Sequence, residues 1–148
     1  MLRVELITPD GPVYEGEVDS ISLPTPSGEI TVLPHHIPLI SIVSPGTVTV
    51  RKGTSDELFA VSRGVVEIDG TSLRILADTA DRADGLEEAA IEKAKAAAEK
   101  LMSEKRHDTE GFAEATAVLD REIAKLHTVR RRKGRGGIPV SGMGGQPR

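Results

Sequence analysis

Two adjacent histidines, His35 and His36, are the residues in this chain whose types and spacing most resemble a site for chemistry. They lie between Pro34 and Pro38 in the stretch SGEITVLPHHIPLI. Neighbouring side chains of an extended segment point to opposite faces, so the two imidazoles cannot converge on one metal ion. A catalytic histidine also needs a nucleophile and an orienting carboxylate, and the sequence places none beside this pair. We therefore expect no catalytic residue and no metal site, and we interpret the segment as a rigid turn fixed by its prolines.

Other kinds of site are disfavoured by composition and by missing motifs. The chain contains no cysteine, which excludes thiolate metal sites and cysteine nucleophiles. The glycines form neither the G-x-G-x-x-G pattern nor the G-x-x-x-x-G-K-[ST] pattern of nucleotide-binding loops. Aromatic residues make up only 2%, so few side chains are available for stacking on nucleic-acid bases. The expectation is a non-enzymatic protein without a cofactor.

Charge is distributed unevenly along the 148 residues. Six of the 19 basic residues and none of the 23 acidic residues lie beyond Val129, so an acidic body precedes a basic end. No segment approaches the roughly 18 apolar residues of a membrane span, and the N-terminus lacks the pattern of a secretory signal. We expect a protein that is not inserted into a membrane.

The elements that must hold these residues begin with short strands up to about Asp78. Apolar residues recur there with a period of two, and turn signals such as PDG, TPSG, SPG and IDG separate the segments. This pattern predicts an antiparallel β-sandwich or a barrel. The period-two pairs are Val4 with Leu6, Ile30 with Val32, Val48 with Val50, Phe59 with Val61, Val66 with Ile68, and Leu73 with Ile75.

The apolar period then changes to that of two helices joined at HDTEG, which predicts an antiparallel helical hairpin. Asp84 followed by Glu87 is a possible cap for the first helix. The two apolar stripes are Leu86, Ala90, Ala94, Ala97 and Leu101, then Phe112, Ala115, Leu119, Ile123 and Leu126. Because the first stripe is mostly alanine, the hairpin buries little area and is expected to be detachable. The final segment is rich in Gly, Pro and Arg, which is typical of a disordered tail.

The order of these features resembles the epsilon subunit of bacterial F-type ATP synthases. The resemblance spans about residues 1–129 and is most specific at TPSGEITVLPHHIPLI and ILADTADRA. It implies a mainly β protein with added α structure. The expected parts are a β-sandwich over residues 1–82, a regulatory hairpin over 83–129 and a disordered basic tail over 130–148.

By this resemblance the chain is a non-catalytic rotor subunit that couples proton flow through the c-ring to ATP synthesis. It would dock on the gamma subunit and the c-ring, at the cytoplasmic face of the bacterial plasma membrane. His36 matches the histidine of the family pattern L-P-x-H-x-P-L. The implied docking residues are Glu29, His36, Ile37, Pro38 and Leu39.

The resemblance also implies that the hairpin inhibits ATP hydrolysis by reaching the alpha and beta catalytic subunits. Basic residues are the expected contacts with the acidic surfaces of those subunits, and they are Arg121, Lys125, Arg130, Arg131 and Arg132.

One family motif is degraded in this chain. Some bacterial epsilon subunits bind ATP through [IL]-D-x-x-R-A at the start of the first helix, where this sequence reads LEEAAI. Glu87 replaces the aspartate, Ala90 replaces the arginine and Ile91 replaces the final alanine. We therefore predict that ATP binds weakly or not at all.

Two alternatives remain at the level of sequence. The chain could be a small β-domain adaptor that binds nucleic acid or an anionic membrane through its basic end. A metallohydrolase built on His35 and His36 is the enzyme alternative.

Overall fold

The computed structural model describes residues 1–137, with side chains through Gly134. Ten strands come first, and two helices follow. The strands are β1 Leu2–Thr8, β2 Gly11–Val18, β3 Ser20–Thr25, β4 Gly28–Val32, β5 His36–Val43, β6 Gly46–Lys52, β7 Ser55–Val61, β8 Gly64–Gly70, β9 Ser72–Ala77 and β10 Ala80–Arg82. The helices are α1 Glu88–Glu104 and α2 Thr109–Gly137.

The strands form two five-stranded sheets that pack as a sandwich, which confirms the predicted fold class. Sheet A has the order β2-β1-β9-β8-β5, and sheet B has the order β10-β7-β6-β3-β4. All strand pairs are antiparallel except β1 with β9, which are parallel. Consequently the N-terminal strand lies inside sheet A, beside a strand that the chain reaches some 70 residues later.

The core lies between the sheets and contains only residues of the strands. The predicted period-two residues supply most of it, because alternate side chains of a strand point to one face. Phe59 is its largest fully buried side chain, and Tyr14 meets it edge-on with ring centroids 5.6 Å apart. Leu2, Leu6, Ile21, Leu23, Leu73 and Ile75 are other large, fully buried members.

The segment after Pro34 differs from the predicted rigid turn. Only Pro34 and His35 form the turn, and His35 takes a positive φ of 70°. The next residues belong to strand β5, whose pairing with β8 is irregular between His36 and Leu39. Pro38 is tolerated there because β5 is the edge strand of sheet A, where a missing N–H breaks no central ladder.

The two helices form the predicted antiparallel hairpin, but their buried faces are shifted from the predicted stripes. In α1 the buried residues are Ile91 and Ala98, while Ala90, Ala97 and Leu101 are exposed. Because α1 is rich in alanine, several of its faces are nearly equally apolar, and the few larger residues such as Ile91 determine which face packs against α2. The predicted Asp84 cap does not form: Asp84 lies in a 3-10 turn, and α1 begins after Glu87 without a side-chain cap.

Helix α2 packs on two neighbours, α1 and the outer face of sheet B. Its buried residues therefore lie on two sides of the helix rather than along the single predicted stripe. Phe112 and Ile123, which belong to that stripe, remain 37% and 45% exposed. The buried residues are Ala115, Glu122, Ala124, Leu126, Thr128 and Val129.

The predicted start of a disordered tail at residue 130 is wrong, because α2 continues to Gly137. Residues 130–133 are helical and make ion pairs with acidic residues of this chain. Arginine and lysine are good helix formers, and positive charge suits the C-terminal end of a helix. The rest of the predicted tail, residues 138–148, lies outside the described residues.

Candidate interaction surfaces

The histidine segment presents apolar side chains on a firmly held backbone. The backbone N–H of His35 donates to the Gly70 carbonyl at 2.8 Å, which ties the turn to the β8–β9 turn. His36 Nδ1 lies 2.7 Å from the Ile37 carbonyl oxygen. Because a carbonyl can only accept, Nδ1 carries the proton in this contact. Beyond it Ile37 is 74% exposed and Leu39 38% exposed.

The five predicted docking residues do not form one patch. Glu29 lies beside Pro24 near the start of β4, in sheet B. His36 follows the far end of β4 and pairs with Gly70 in sheet A. Residues His36, Ile37, Pro38 and Leu39 are thus contiguous, whereas Glu29 lies toward the other end of the sandwich.

The outer face of sheet A carries an exposed apolar row that the sequence predictions missed. Ile42 is opposite Val65, Val65 is opposite Leu76, and Leu76 is opposite Ile7. Ile42, Val65 and Leu76 are 56%, 42% and 48% exposed. Exposed apolar surface that is continuous in this way marks interaction sites in soluble proteins.

A sequence signal for this row was present. Ile42-Val43, Val65-Val66 and Ile75-Leu76 are apolar doublets within strands, and adjacent strand residues point to opposite faces. Such doublets indicate a strand that is apolar on both sides, one side in the core and the other available to a partner.

The outer face of sheet B is different in chemistry, because hydroxyl groups occupy many of its outward positions. Thr47 and Thr49 of β6 are buried there, and Ser62 follows β7. On the neighbouring strands, Ser22 Oγ lies 2.8 Å from Thr31 Oγ1. Helix α2 lies on this face, so the hairpin covers the hydroxylated side of sheet B and leaves the apolar row of sheet A uncovered.

A chain of hydrogen bonds links α2 to β6. Thr128 Oγ1 donates to the Ala124 carbonyl at 2.8 Å, so it accepts from Thr47 Oγ1, also at 2.8 Å. With its proton directed at Thr128, Thr47 Oγ1 accepts from His127 Nδ1 at 2.9 Å. His127 therefore donates to Thr47, Thr47 donates to Thr128, and Thr128 donates to the Ala124 carbonyl, which is the final acceptor.

Arg121 makes the main ion pair between the hairpin and the sandwich. Its Nε and Nη2 donate to the two carboxylate oxygens of Asp81 at 3.2 and 3.1 Å. This bidentate contact raises the pKa of Arg121 above its already high value. Arg121 was a predicted contact with the catalytic subunits, and in this conformation it is held by strand β10 instead.

The other predicted inhibitory residues are also engaged within the chain. Arg130 pairs with Glu88 and Glu92, Arg131 pairs with Glu29, and Arg132 lies 3.6 Å from Asp84. Lys125 forms a largely buried pair with Glu122 at 3.1 Å on the same helix. The cations of the described part of α2 are thus directed at acids of the protein itself, which weakens the interpretation of this end as a free nucleic-acid or membrane anchor.

The degraded ATP motif lies at the base of the hairpin. Ala90 is exposed on α1, and Ile91 is 4% exposed in a small cluster with Leu126 and Val129. Arg121 and Lys125, the cations that could face a nucleotide from α2, already have carboxylate partners.

Within the described part of the chain, no group of three or more His, Asp or Glu side chains is arranged to hold a metal ion. Over the same residues, no helix is long and apolar enough to cross a membrane.

Comparison with known proteins identifies this combination of a sandwich and a helical hairpin. Residues 1–83 match the model of the ATP synthase delta/epsilon chain β-sandwich domain. The ATP synthase epsilon chain of Halalkalibacterium halodurans is 38% identical over 125 residues, covering 84% of this chain and 94% of the relative. That of Herpetosiphon aurantiacus is 34% identical, with 90% and 98% covered.

A solved structure shares the fold. A chain of the Euglena gracilis mitochondrial ATP synthase, in a structure of OSCP, F1 and the c-ring, matches with a TM-score of 0.67. Its identity is 19%, and the match covers 80% of this chain and 75% of that one.

The class defined by these findings is a non-catalytic stalk subunit of a rotary ATP synthase. More particularly, the chain belongs to the epsilon-chain family of ATP synthase. This confirms the predicted family and the expectation that the protein is a subunit of the complex rather than an enzyme by itself.

Proposed function

We propose that the chain is the rotor subunit that links gamma and the c-ring, coupling proton flow to ATP synthesis at the cytoplasmic face of the bacterial plasma membrane. We further propose that its hairpin inhibits ATP hydrolysis by contacting the alpha and beta subunits. One observation carries both parts: the uncovered face of the sandwich has an exposed apolar row beside its charged residues, whereas the face under the hairpin is rich in hydroxyl groups.

The exposed apolar row suits a permanent partner. Ile42, Val65 and Leu76 are joined on the same face of β5 by Ile40, which is 71% exposed. Leaving this surface in water costs free energy, and covering it recovers roughly 25 cal/mol per Å². Gamma is the proposed occupant of this surface, and four of the five predicted docking residues lie on its edge strand, β5.

The hydroxylated outer face of sheet B suits a reversible contact with the hairpin. When α2 lifts away, Thr47, Thr49 and Ser62 can bond to water, and the buried apolar residues of β7 on this face are Leu58 and Ala60. The hairpin's own apolar cluster is small, consisting of Ile91, Leu126 and Val129 with Leu86 packed against it. Both observations favour a hairpin that can exchange its seat on sheet B for a contact elsewhere in the complex.

The docking proposal is tested by placing a charge in the apolar row. We expect Val65→Lys to weaken co-purification with gamma at least about tenfold, because a lysine buried in an apolar contact loses its hydration without a partner. Ser55→Lys, at an exposed position of β7, is the matched control and should bind normally. Equal binding of both variants would contradict gamma docking on this face.

The inhibition proposal is tested with two variants. One releases the hairpin from the sandwich, and the other removes the proposed contacts of the hairpin with the catalytic subunits. Asp81→Asn weakens the hold on Arg121 but leaves every hairpin residue unchanged, so the hairpin should extend more often and ATP hydrolysis by the assembled complex should fall. The effect is at most about fivefold, since the ion pair is partly exposed.

Charge reversal of Arg130, Arg131 and Arg132 together should instead raise hydrolysis without impairing assembly. Lys52→Glu, at the exposed end of β6, checks that charge reversal elsewhere does not relieve inhibition. Unchanged hydrolysis in both the Asp81 variant and the triple variant would remove the hairpin from the inhibitory mechanism.

A further inference from the structure

Glu29 belongs both to the predicted docking residues and to the residues that bind the hairpin to the sandwich. We call the hairpin seated when α2 lies on sheet B, as it does here, and released when it does not. Arg131 Nη1 donates to Glu29 Oε2 at 3.0 Å, and the two side chains are 27% and 45% exposed. The other side-chain hydrogen bonds from described residues of α2 to the strands reach Asp81 and Thr47, which are not docking residues. Among the described residues, Glu29 is therefore the one point where the two sets coincide.

The position of Glu29 makes it reachable from outside. Strand β4 is the edge of sheet B, so no further strand covers that side. Arg131 reaches β4 from α2 and borders a small cleft with Ser22, Thr31 and Thr49. When α2 leaves its seat, Arg131 leaves with it, and the Glu29 carboxylate loses this partner.

We propose that Glu29 exchanges partners, pairing with Arg131 while the hairpin is seated and with a cationic side chain of the rotor when the chain docks. An ionised carboxylate only accepts hydrogen bonds, so the rotor group must be a donor, and an arginine or lysine fits best. This inference rests on the proposed function, because it takes Glu29 as a contact with gamma or the c-ring.

The exchange links two equilibria. A rotor cation at Glu29 weakens the seating of the hairpin, and by reciprocity a seated hairpin weakens the rotor's contact at Glu29 by the same factor. Because both pairs are partly exposed, the coupling is about two- to fivefold. It would bias the hairpin toward release when the chain is mounted on the rotor.

The absence of cysteine makes the hairpin's position measurable with two introduced labels. Cysteines at the exposed positions Ala97 and Thr54 would carry a fluorescent donor and acceptor that report seated and released hairpins. In the isolated full-length chain, Glu29→Gln and Arg131→Gln should each increase the released fraction to a similar extent. The double variant should add nothing to either, and additive effects would overturn the proposal.

The second measurement adds a purified assembly of gamma and the c-ring. It should raise the released-to-seated ratio of the parent chain about two- to fivefold and leave that of Glu29→Gln unchanged. Arg121→Gln is the control, because it loosens the hairpin without touching Glu29 and should keep the shift.

Two negative outcomes have different meanings. An equal shift in the parent chain and in Glu29→Gln would overturn the exchange while leaving rotor docking in place. Failure of the parent chain to bind the assembly would overturn the proposed function itself.

Discussion

The hydroxyls of Thr47 and Thr128 lie 2.8 Å apart, and the two residues are 2% and 0% exposed between sheet B and α2. The pair joins residues 81 positions apart in the chain. A buried hydroxyl pair of this kind has a directional requirement that an apolar contact lacks, so it favours one seating of α2 on the sheet.

Thr128→Val should destabilise the seated hairpin, because the Thr47 hydroxyl loses its acceptor in Thr128 and can donate only to His127 Nδ1, whose tautomer must then change. We expect a loss of about 0.5 to 1.5 kcal/mol in the local opening free energy of α2, measured by amide hydrogen exchange. Thr116→Val is the matched control: its hydroxyl also donates to a carbonyl one turn earlier in α2, but at an exposed position. Adding Thr47→Val should recover part of the loss, and an additive double variant would contradict the assigned direction of the bonds.

A fragment that ends after Arg82 should fold alone. The sandwich core contains only strand residues, and the removed hairpin covers mainly hydroxyls and small side chains of sheet B. We expect a cooperative thermal transition and a β-type circular dichroism spectrum. A fragment without a cooperative transition would show that the hairpin completes the core.

Acid should loosen the contact between the start of α1 and the end of α2. Hydrogen bonds from Lys133 and then Arg130 hold the pKa of Glu88 below its ordinary value of 4.5. Because the pKa of Glu88 is lower in the folded state than in the unfolded state, its ionised carboxylate stabilises the contact at pH values above the unfolded-state pKa. That stabilisation is lost as pH falls through the folded-state pKa. NMR of the Arg130 side chain should therefore change below about pH 4.5. Glu88→Gln should reduce this change, adding Glu92→Gln should abolish it, and Glu99→Gln should leave it intact.

The isolated protein should bind ATP weakly at most. The arginine of the family motif is replaced by Ala90, and losing one charge-assisted contact costs roughly 1.5 to 3 kcal/mol, about one to two decades in affinity. Calorimetric titration with and without magnesium measures this, and tight binding at a single site would refute it. If Ala90→Arg combined with Glu87→Asp fails to strengthen binding, the alignment of the motif is wrong.

The parts of the fold that were predictable are those with a clear local period. Pairs such as Val48 with Val50 and Leu73 with Ile75 mark one face of a strand, and both pairs are buried in the core. The sequence predictions missed strand β3 although it carries such a pair, Ile21 with Leu23, and two other missed strands have weaker patterns. Strand β2 has the sequence GPVYEGEV, and β5 contains a proline, so the pairing of their neighbours defines them rather than their own patterns.

The candidate site was less predictable, because its contacts join distant parts of the chain. Nothing local to Thr47 or Asp81 indicates that a helix 40 to 80 residues later will bond to them. The basic run at residues 130–133 was predicted as disordered from its composition, whereas acids on α1 and the sandwich hold it in a helix. The resemblance to a family supplied the docking residues, but only the strand register separates Glu29 from His36.

The parallel pairing of β1 with β9 has a consequence for how the molecule is made. Strand β1 leaves the ribosome first, yet one of its neighbours in sheet A is among the last strands to be synthesised. Contacts of such wide sequence separation form slowly, and until then the hydrogen-bonding edge of β1 stays open to other chains. The hairpin follows β9 in the chain, so its seat on sheet B can be ready while α2 is still being translated. Assembly therefore ends with the hairpin, and a nascent chain is most exposed to mispairing just before β9 is synthesised.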